Sequence, residues 1–255
     1  MSSIGVVVLS LQGMKHLAQC LESIQWADVV ALMHVGEGEP VIGANLPLPA
    51  ILRKVSGSEG ARKLSQEIQT DWVLHLWGEE RVGAHLRDEL LALCKRELTP
   101  LPRGYRIPIR SLLLGRWIEG SLWGPSPSLR LSRKVEELSL GWWNTTERGD
   151  QESPGLLRGW IEDYSSTELS EGVGRVEAIS SLWAEQLQAR GRSLRPSAMA
   201  VCSLRVFMRV LFMNGAFSNG FAGLTLSTLA GYAALLSGAK VWEARNVRDK
   251  TKGER

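Results

Sequence analysis

The stretch DWVLHLWGEERV, residues 71–82, connects an apolar run to a cluster of charged residues. The run up to Trp77 consists mostly of strand-forming residues and predicts a buried β-strand. It stops at Gly78 and continues directly into the charged triplet Glu79-Glu80-Arg81. Carboxylates that follow a buried strand can hold a metal ion or a substrate at the edge of a sheet. The same triplet could instead form the solvated first turn of the next helix, where carboxylates interact favourably with the helix dipole.

Strands and helices alternate along the first hundred residues. The pattern predicts strands at 4–10, 28–35, 50–55 and 71–77, and helices at 13–25, 58–69 and 83–98. Such alternation is typical of βαβ units and predicts an α/β fold, with a mostly parallel mixed sheet flanked by helices. Ligands of such sheets bind at the carboxyl ends of the strands. The chain near residues 9–13, 34–37 and 77–81 should therefore surround one crevice that could bind a nucleotide.

The character of the sequence changes after residue 103. Residues 104–120 and 127–135 indicate extended segments, and helical sequence lies between residues 168 and 190. We therefore predict an α/β domain over residues 1–154 and a helical region over residues 155–248. The charged end, residues 249–255, is predicted to be disordered.

The composition indicates a globular protein of a reducing compartment. The 255 residues are 44% hydrophobic, which is enough for a sizeable core. Three widely separated cysteines, with no histidine at ligand spacing, predict neither a disulfide framework nor a zinc site. The first residues lack the cationic segment and apolar core of a cleaved signal peptide, so we expect a cytoplasmic location.

The C-terminal quarter is basic and contains a long uncharged segment. Residues 192–255 hold 10 lysines and arginines against 3 acidic residues, although the net charge of the whole chain is only +3. Residues 210–239 carry no charge at all. This segment could span a bilayer, lie in the headgroup region as a hairpin or an amphipathic helix, or form a buried helix pair of the soluble core. Its basic flanks favour a position at the surface of an anionic membrane.

Several other functional classes lack their motifs. The sequence contains no GxSxG elbow, no P-loop and no GxGxxG fingerprint after the first strand. The modest net charge, and a basic tail without interleaved aromatic residues beyond its apolar run, argue against a nucleic-acid partner. Hydrolase, kinase, dehydrogenase and nucleic-acid-binding functions are therefore not expected.

Four segments carry a family resemblance, and they follow the order and spacing of that family. They are VVVLSLQGMKHLAQCLESIQWADVV (6–30), ARKLSQEIQTDWVLHLWGEERV (61–82), LWGPSPSLRL (122–131) and FMNGAFSNGFAGLTLSTLAGYAALLSGAKVWE (212–243). With these segments the chain resembles glycosyltransferase family 2 enzymes of the GT-A (Rossmann-like) fold. It is most similar to the bacterial subgroup that adds sugars to lipopolysaccharide core and related cell-surface glycans.

The resemblance implies transfer of a sugar from a nucleotide-sugar donor to a glycan or glycolipid acceptor. Residues 1–154 would bind the donor, and the C-terminal region, with its apolar segment 210–239, would associate with the inner face of the cytoplasmic membrane. In such enzymes a divalent metal, Mg²⁺ or Mn²⁺, offsets the charge of the leaving diphosphate. A carboxylate accepts the proton of the acceptor hydroxyl.

The resemblance also assigns roles to individual residues. Glu79 would hold the metal, and Glu136 or Glu137 would act as the catalytic base. The donor contacts would be Leu11, Gln12, His34, Arg62, Lys63, Arg81, Trp123 and Arg130.

Several of these site positions depart from the family pattern. Trp77 stands where the first aspartate of the family's Asp-x-Asp motif belongs, and an indole cannot bind a metal. His34 stands where an aspartate usually contacts the nucleoside, and Asp163-Tyr164 corresponds to a His-Tyr pair. These departures leave two hypotheses open. The chain is either an active transferase with a rearranged site, or a catalytically inactive relative that serves as a membrane-associated binding or scaffold subunit.

Overall fold

The computed structural model describes most of the chain, in nine ranges. These are residues 2–35, 50–54, 68–95, 102–121, 126–133, 154–189, 191, 195–213 and 216–246. The helices are α1 (Leu17–Ser23), α2 (Ala84–Lys95), α3 (Leu169–Ala189), α4 (Pro196–Met208) and α5 (Gly220–Asn246). The strands are β1 (Ile4–Leu11), β2 (Val29–Val35), β3 (Ala50–Lys54), β4 (Trp72–Trp77), β5 (Glu80–Val82), β6 (Gly104–Ile107), β7 (Ile109–Leu113), β8 (Arg116–Glu119), β9 (Ser128–Ser132), β10 (Gly155–Leu156) and β11 (Ile161–Asp163).

A seven-stranded sheet forms the centre of the fold, in the order β10-β6-β9-β4-β1-β2-β3. Strands β4, β1, β2 and β3 run parallel, whereas β9 runs antiparallel to both β4 and β6. All eight residues of β1 are buried, because helices cover both faces of the sheet at this strand. The predicted α/β architecture, a mixed and mostly parallel sheet flanked by helices, is confirmed.

A second, four-stranded sheet begins immediately after β4, in the order β5-β11-β7-β8. Gly78 forms the corner between the two sheets, and its N–H donates a 2.8 Å hydrogen bond to the Leu9 carbonyl. A Cβ at this position would lie 2.9 Å from Met14 Sδ, so any other residue here would have to displace the Met14 side chain. The alternative in which Glu79-Glu80-Arg81 begins a solvated helix is wrong, because Glu80–Val82 is a strand and both glutamates are buried.

The sheet separates two hydrophobic clusters. One contains Val6, Val8 and Leu74 and is covered by α1 and α2. The other contains Val7 and Trp77 and is covered by the C-terminal helices α3, α4 and α5. The C-terminal region therefore shares a core with the first strands of the chain, because the inner faces of its helices complete the second cluster.

The structure changes one predicted boundary and leaves two other calls as predictions. Helix α1 begins at Leu17 rather than at residue 13, because Gly13 adopts φ +78° in the turn that follows β1. Strands β10 and β11 pair with β6 and β7, so the sheets continue to Asp163, and the division of the chain after residue 154 stays a prediction. The helix predicted at residues 58–69 lies almost entirely outside the described residues.

The C-terminal region is a layer of three helices in which α5 lies between α3 and α4. Lys240 of α5 binds Glu177 of α3 through a 2.7 Å ion pair. On its other side, Gly231 lies against Ser203 and Phe207 of α4. Helix α4 continues as a π-helical turn, Arg209–Met213, and the short 3₁₀ turn Ala216–Asn219 leads into α5. Within the described part of the chain, one helical segment, residues 216–246, is long and apolar enough to span a membrane, and just over half of its most apolar window is buried.

Candidate functional site

The carboxyl ends of β1, β2 and β4 lie side by side, as predicted for a crevice at this edge. His34, near the end of β2, is buried and its Nδ1 lies 3.3 Å from Ser10 Oγ on β1. The Leu11 side chain packs in the core, while Gln12 is exposed beside it. The structure thus brings Leu11, Gln12 and His34 to one edge with Glu79, and their roles as donor contacts stay predictions.

Glu79 forms a two-point ion pair with Arg175, a residue of α3. Arg175 Nε donates to Glu79 Oε2 at 2.8 Å, and Arg175 Nη2 donates to Glu79 Oε1 at 2.6 Å. Nη2 also donates to the Gly13 carbonyl at 2.8 Å, which places the guanidinium at the carboxyl ends of both β1 and β4. Within the described ranges, the remaining nitrogen, Nη1, forms no hydrogen bond, so it is the donor that a ligand could use.

Glu80 forms a second buried ion pair, with Arg130 of β9. Arg130 Nη2 donates to Glu80 Oε1 at 2.7 Å, and Arg130 Nε donates to Ser128 Oγ at 3.0 Å. The other Glu80 oxygen accepts a 2.8 Å hydrogen bond from the Trp77 backbone N–H. Arg130 Nη1 also donates to the His75 carbonyl at 3.4 Å, so each nitrogen of this guanidinium already has a partner at the corner after β4. The role of Arg130 as a donor contact stays a prediction.

Asp163 is a third buried carboxylate beside the two ion pairs. Its Oδ2 accepts hydrogen bonds from Ser111 Oγ at 2.9 Å and Ser121 Oγ at 2.7 Å, and its Oδ1 accepts one from the Ser165 N–H at 2.9 Å. The side chain is fully buried. Asp163 therefore ties β7 and β11 together, and its negative charge acts on both glutamates.

Burial changes the protonation of the two glutamates. It raises the pKa of Glu79 above its ordinary value, while the hydrogen bonds and charge of Arg175 oppose the shift. Burial also raises the pKa of Glu80 to about 7, an effect that the charge of Arg130 opposes and that of Asp163 reinforces. The site therefore concentrates three carboxylates and two guanidiniums in a region with little access to water.

An exposed patch of aromatic and arginine side chains adjoins this buried cluster. The Arg81 guanidinium lies 3.9 Å above the centre of the Tyr164 ring, and the Arg110 guanidinium lies 4.6 Å above Trp117. The Trp117 and Tyr164 rings meet edge to face at 5.4 Å. We call these four residues the aromatic–arginine patch. Tyr164 connects the patch to the cluster, because its N–H donates to the Glu79 carbonyl at 3.0 Å.

The remaining predicted site residues cannot be placed. Arg62, Lys63, Trp123, Glu136 and Glu137 all lie outside the described residues. Their roles as donor contacts and as catalytic base stay predictions.

The residues present do not fit a divalent metal. Arg175 engages both Glu79 oxygens, and the Trp77 side chain is buried in the core. Among the described residues, no group of three or more His, Cys, Asp or Glu side chains could hold a metal ion. Mg²⁺ and Mn²⁺ need open oxygen ligands, which this arrangement does not offer. The assignment of Glu79 as metal ligand is corrected accordingly: its partner is a guanidinium.

Comparison with known proteins identifies structures of low similarity. No protein-family model matches the chain. A mannosyltransferase, PcManGT from Pyrobaculum calidifontis in complex with GDP-Man and Mn²⁺, is 11% identical with a TM-score of 0.48, over 96% of this chain and 88% of that one. TarS from S. aureus is 11% identical with a TM-score of 0.42, over 86% of this chain, which spans only 46% of the length of TarS. A shorter TarS structure in complex with UDP-GlcNAc is 9% identical with a TM-score of 0.44, over 93% of this chain and 91% of that one. Likenesses at these values carry no inference about activity, which must rest on the residues of this chain.

Sequence reasoning missed the residue that defines this site. Arg175 lies 96 positions from Glu79, in a helix whose spacing predicts only that it is amphipathic. For Trp117 and Arg110 the sequence likewise predicts only that they lie in extended segments. A signal was present for Arg175: it is the only basic residue between positions 159 and 189, and a lone arginine on a mostly apolar helix needs a partner when that face is buried.

Proposed function

We propose that the chain is a GT-A-like, nucleotide-sugar-dependent glycosyltransferase. Its acceptor would be a bacterial surface glycan or glycolipid of the lipopolysaccharide-core type, at the inner face of the cytoplasmic membrane. The observation that carries the proposal is the guanidinium of Arg175, held by Glu79 and the Gly13 carbonyl at the carboxyl ends of β1 and β4. The family resemblance of the sequence supplies the reaction class.

Arg175 supplies the positive charge that a diphosphate needs. Glu79 fixes the Nε and Nη2 edge of the guanidinium, which leaves the Nη1 group for a phosphate oxygen. Arginine suits this role because its charge is permanent and its planar donors match phosphate geometry. A fixed guanidinium would stabilise the negative charge that develops on the leaving nucleoside diphosphate. Donor binding is therefore expected not to require a divalent metal.

The aromatic–arginine patch provides a wall for the sugar or the nucleobase. Trp117 is 38% exposed and Tyr164 is half-buried, so both rings have a surface available to a ligand. Flat aromatic faces pack well against the apolar faces of sugars and bases. Arg81 and Arg110 each cover one face of these rings, so a ligand would pack against the remaining exposed surface.

The transfer step itself is a displacement at the anomeric carbon. The acceptor oxygen forms a bond to that carbon as the bond to the diphosphate breaks, and the nucleoside diphosphate leaves with the electron pair. The hydroxyl proton passes to a carboxylate, for which Glu136 and Glu137 stay the predicted candidates. The described carboxylates Glu79 and Glu80 are already paired with arginines and are not assigned this role.

One observation favours the second candidate function, a catalytically inactive relative. Trp77 is buried in the core at the position of the family's first metal-binding aspartate, and Arg175 binds the Glu79 carboxylate that would otherwise face a metal. Under this hypothesis the chain keeps the crevice for binding and serves as a membrane-associated scaffold subunit. Donor binding without any transfer distinguishes this function from the first.

The experiment is a transfer assay with a panel of nucleotide sugars, with bacterial membrane glycolipids as acceptors. Released nucleoside diphosphate and glycosylated lipid are both measured, in buffer containing a chelator and in buffer containing Mg²⁺. We expect transfer from one donor in both buffers, a large loss in Arg175→Gln, and full activity in the control Arg87→Gln. Arg87 suits as control because it is an exposed arginine of α2, which covers the face of the sheet opposite to the helix that carries Arg175. Donor binding without product would overturn the transferase proposal and support the scaffold.

A further inference from the structure

Helix α5 carries an apolar stripe on the face that it turns away from the core. The stripe contains Phe221, Leu224, Tyr232, Leu235 and Trp242, which are between 40% and 74% exposed. Their spacing of three, eight, three and seven residues keeps them on one side of the helix, and Thr228 and Ala239 fill the gaps. At 1.5 Å per residue the stripe is about 32 Å long. Helix α5 is therefore apolar on both its buried and its solvent-facing sides.

Helix α4 carries a second stripe of the same kind. Val201, Leu204 and Met208, with Phe212 of the π-helical turn that follows, recur every three or four residues and are between 45% and 61% exposed. The two helices pack side by side, because Ser203 of α4 donates a 2.7 Å hydrogen bond to the Gly231 carbonyl of α5. Together the two stripes form what we call the α4–α5 apolar surface.

Three phenylalanines are exposed at the end of this helix pair where α4 leads into α5. We call this end the tip. Phe212, Phe217 and Phe221 are 61%, 70% and 74% exposed, and the last two are the most exposed large apolar side chains in the described residues. The rings of Phe212 and Phe217 stack at a centroid distance of 6.1 Å. Aromatic side chains clustered at one end of an exposed apolar surface are typical of a site that is covered in the working protein.

Helix α4, its extension and α5 as far as Trp242 carry basic residues and no acidic ones. Residues 191–242 contain no aspartate or glutamate, whereas Arg205 and Arg209 lie on α4 and its extension. Arg116, at the start of β8, faces the tip across a cleft of about 300 Å³ that Phe221 also lines. An apolar surface flanked by Arg116, Arg205 and Arg209 complements a partner that is apolar in its interior and negatively charged at its face. An anionic lipid bilayer has both properties.

The buried side of α5 decides between spanning a membrane and lying on it. Leu226, Ala230 and Ala233 are fully buried against the body of the protein. Lipid could surround α5 only if these residues left the core, so the helix cannot span a bilayer while the fold is intact.

We propose that the α4–α5 apolar surface docks on an anionic bilayer, with Phe217 and Phe221 inserted at the boundary of headgroups and acyl chains. Arg116, Arg205 and Arg209 then lie at the depth of the lipid phosphates. The inference deepens the membrane location in the proposed function and rests on it for its biological meaning. The cleft beside Phe221 is bordered by the β7–β8 turn. Trp117 of the aromatic–arginine patch is the second residue of β8, so docking would give a lipid-linked acceptor a path from the bilayer to the patch.

The experiment is flotation of the full chain with vesicles of phosphatidylcholine alone and of phosphatidylcholine with 30% phosphatidylglycerol. The tip variant is Phe217→Ser/Phe221→Ser, and the control is Leu156→Ser, which removes an apolar side chain on β10 that is 64% exposed. We expect anionic vesicles to bind the chain at least tenfold more tightly than neutral ones, and high salt to weaken this binding. The tip variant should lose at least tenfold in affinity for anionic vesicles, and the control should not. Both variants should keep the unfolding midpoint of the parent.

Three outcomes would overturn the docking proposal. They are failure of the parent chain to float, equal binding by the tip variant, and a parent dimer that the tip variant abolishes, which would show that a second copy covers the surface. Nucleotide-sugar binding, measured on the same samples, separates the two proposals. A chain that floats but binds no donor contradicts the proposed function alone, and one that binds a donor but does not float contradicts docking alone.

Discussion

Arg175 of α3 holds both carboxylate oxygens of Glu79, 96 positions earlier in the chain, at 2.6 and 2.8 Å. The same guanidinium binds the Gly13 carbonyl after β1. One side chain of the C-terminal region thus connects the carboxyl ends of two parallel strands, which is where an open α/β sheet binds its ligands. Both members of the pair are largely buried, with Glu79 2% and Arg175 8% exposed, so neither can lose its partner without a large cost.

Removal of Arg175 alone should destabilise the protein more than removal of the whole pair. Arg175→Met leaves a buried carboxylate without its partner and should lower the free energy of unfolding by about 3–5 kcal/mol. The double variant Glu79→Gln/Arg175→Met contains no unpaired charge and should recover much of this loss. Urea unfolding of the parent, both single variants and the double variant measures the coupling. If the stability losses of the two single variants add up to the loss of the double variant, the ion pair is contradicted.

The stability of the protein should depend on pH through Glu80. Its pKa is about 7 in the folded chain, because burial favours the neutral form, and its ordinary value is 4.5. Between these values the folded state binds more protons than the unfolded state, so this group's contribution to stability is full below pH 4.5 and is lost as pH rises through 7. The loss amounts to about 3 kcal/mol at roughly 1.4 kcal/mol per pKa unit.

Glu80→Gln provides the comparison, because glutamine has no proton to lose. The stability of the parent relative to Glu80→Gln should fall between pH 5 and pH 8, measured by urea unfolding at each pH. A constant difference across this range, or one that grows with pH, would show that the Glu80 pKa is not raised.

Gly223 permits the close contact between α5 and the turn that precedes it. A Cβ at this position would lie 1.8 Å from the Ala216 carbonyl oxygen, so Gly223→Ala must displace the turn that carries Phe217. We expect a loss of about 1–3 kcal/mol. Gly174→Ala is the matched control, because Gly174 is an exposed position of α3 with open space around it, and alanine there should stabilise the helix by up to about 1 kcal/mol. Thermal unfolding of the two variants should therefore move the midpoint in opposite directions, and a shift in the same direction would refute the packing argument.

Trp117 should affect ligand binding with only a small effect on stability. Its ring is partly exposed, contacts Tyr164 at the edge and lies under the Arg110 guanidinium, so Trp117→Ala should lower the free energy of unfolding by only about 0.5–1 kcal/mol. Loss of a stacking surface costs about 0.5–1.5 kcal/mol, which corresponds to a loss of up to about tenfold in nucleotide-sugar affinity by calorimetry. Trp117→Phe keeps an aromatic face and should bind more tightly than the alanine variant. Equal affinities for the parent and Trp117→Ala would remove the patch from the site.

The strands around the crevice could be predicted because their signal is local. The continuous apolar runs of β1, β2 and β4 indicate strands buried on both faces, and their βαβ order predicts the parallel part of the sheet. The antiparallel position of β9 beside β4 could not be predicted, because no local feature of a strand specifies a partner more than fifty residues away.

The burial of Glu79 and Glu80 could not be predicted from the sequence. Two adjacent glutamates favour solvent unless each meets a cation, and their cations, Arg175 and Arg130, are brought to them only by the tertiary fold. The exposed apolar side of α5 could not be predicted either, for a different reason. The helix is apolar on all sides, so its sequence predicts a helix but not which side faces the core.

The most direct test of the central claim is a thermal-shift titration of nucleotide sugars in the presence of a chelator, with the parent chain, Arg175→Lys and the double variant Glu79→Gln/Arg175→Met. A ligand that binds only the folded state raises the unfolding midpoint by mass action. We predict that one nucleotide sugar raises the midpoint of the parent without metal, raises that of Arg175→Lys less, and leaves that of the double variant unchanged. A shift that requires Mg²⁺ or Mn²⁺, or an equal shift in the double variant, would contradict the assignment of Arg175 as the cation of the donor site.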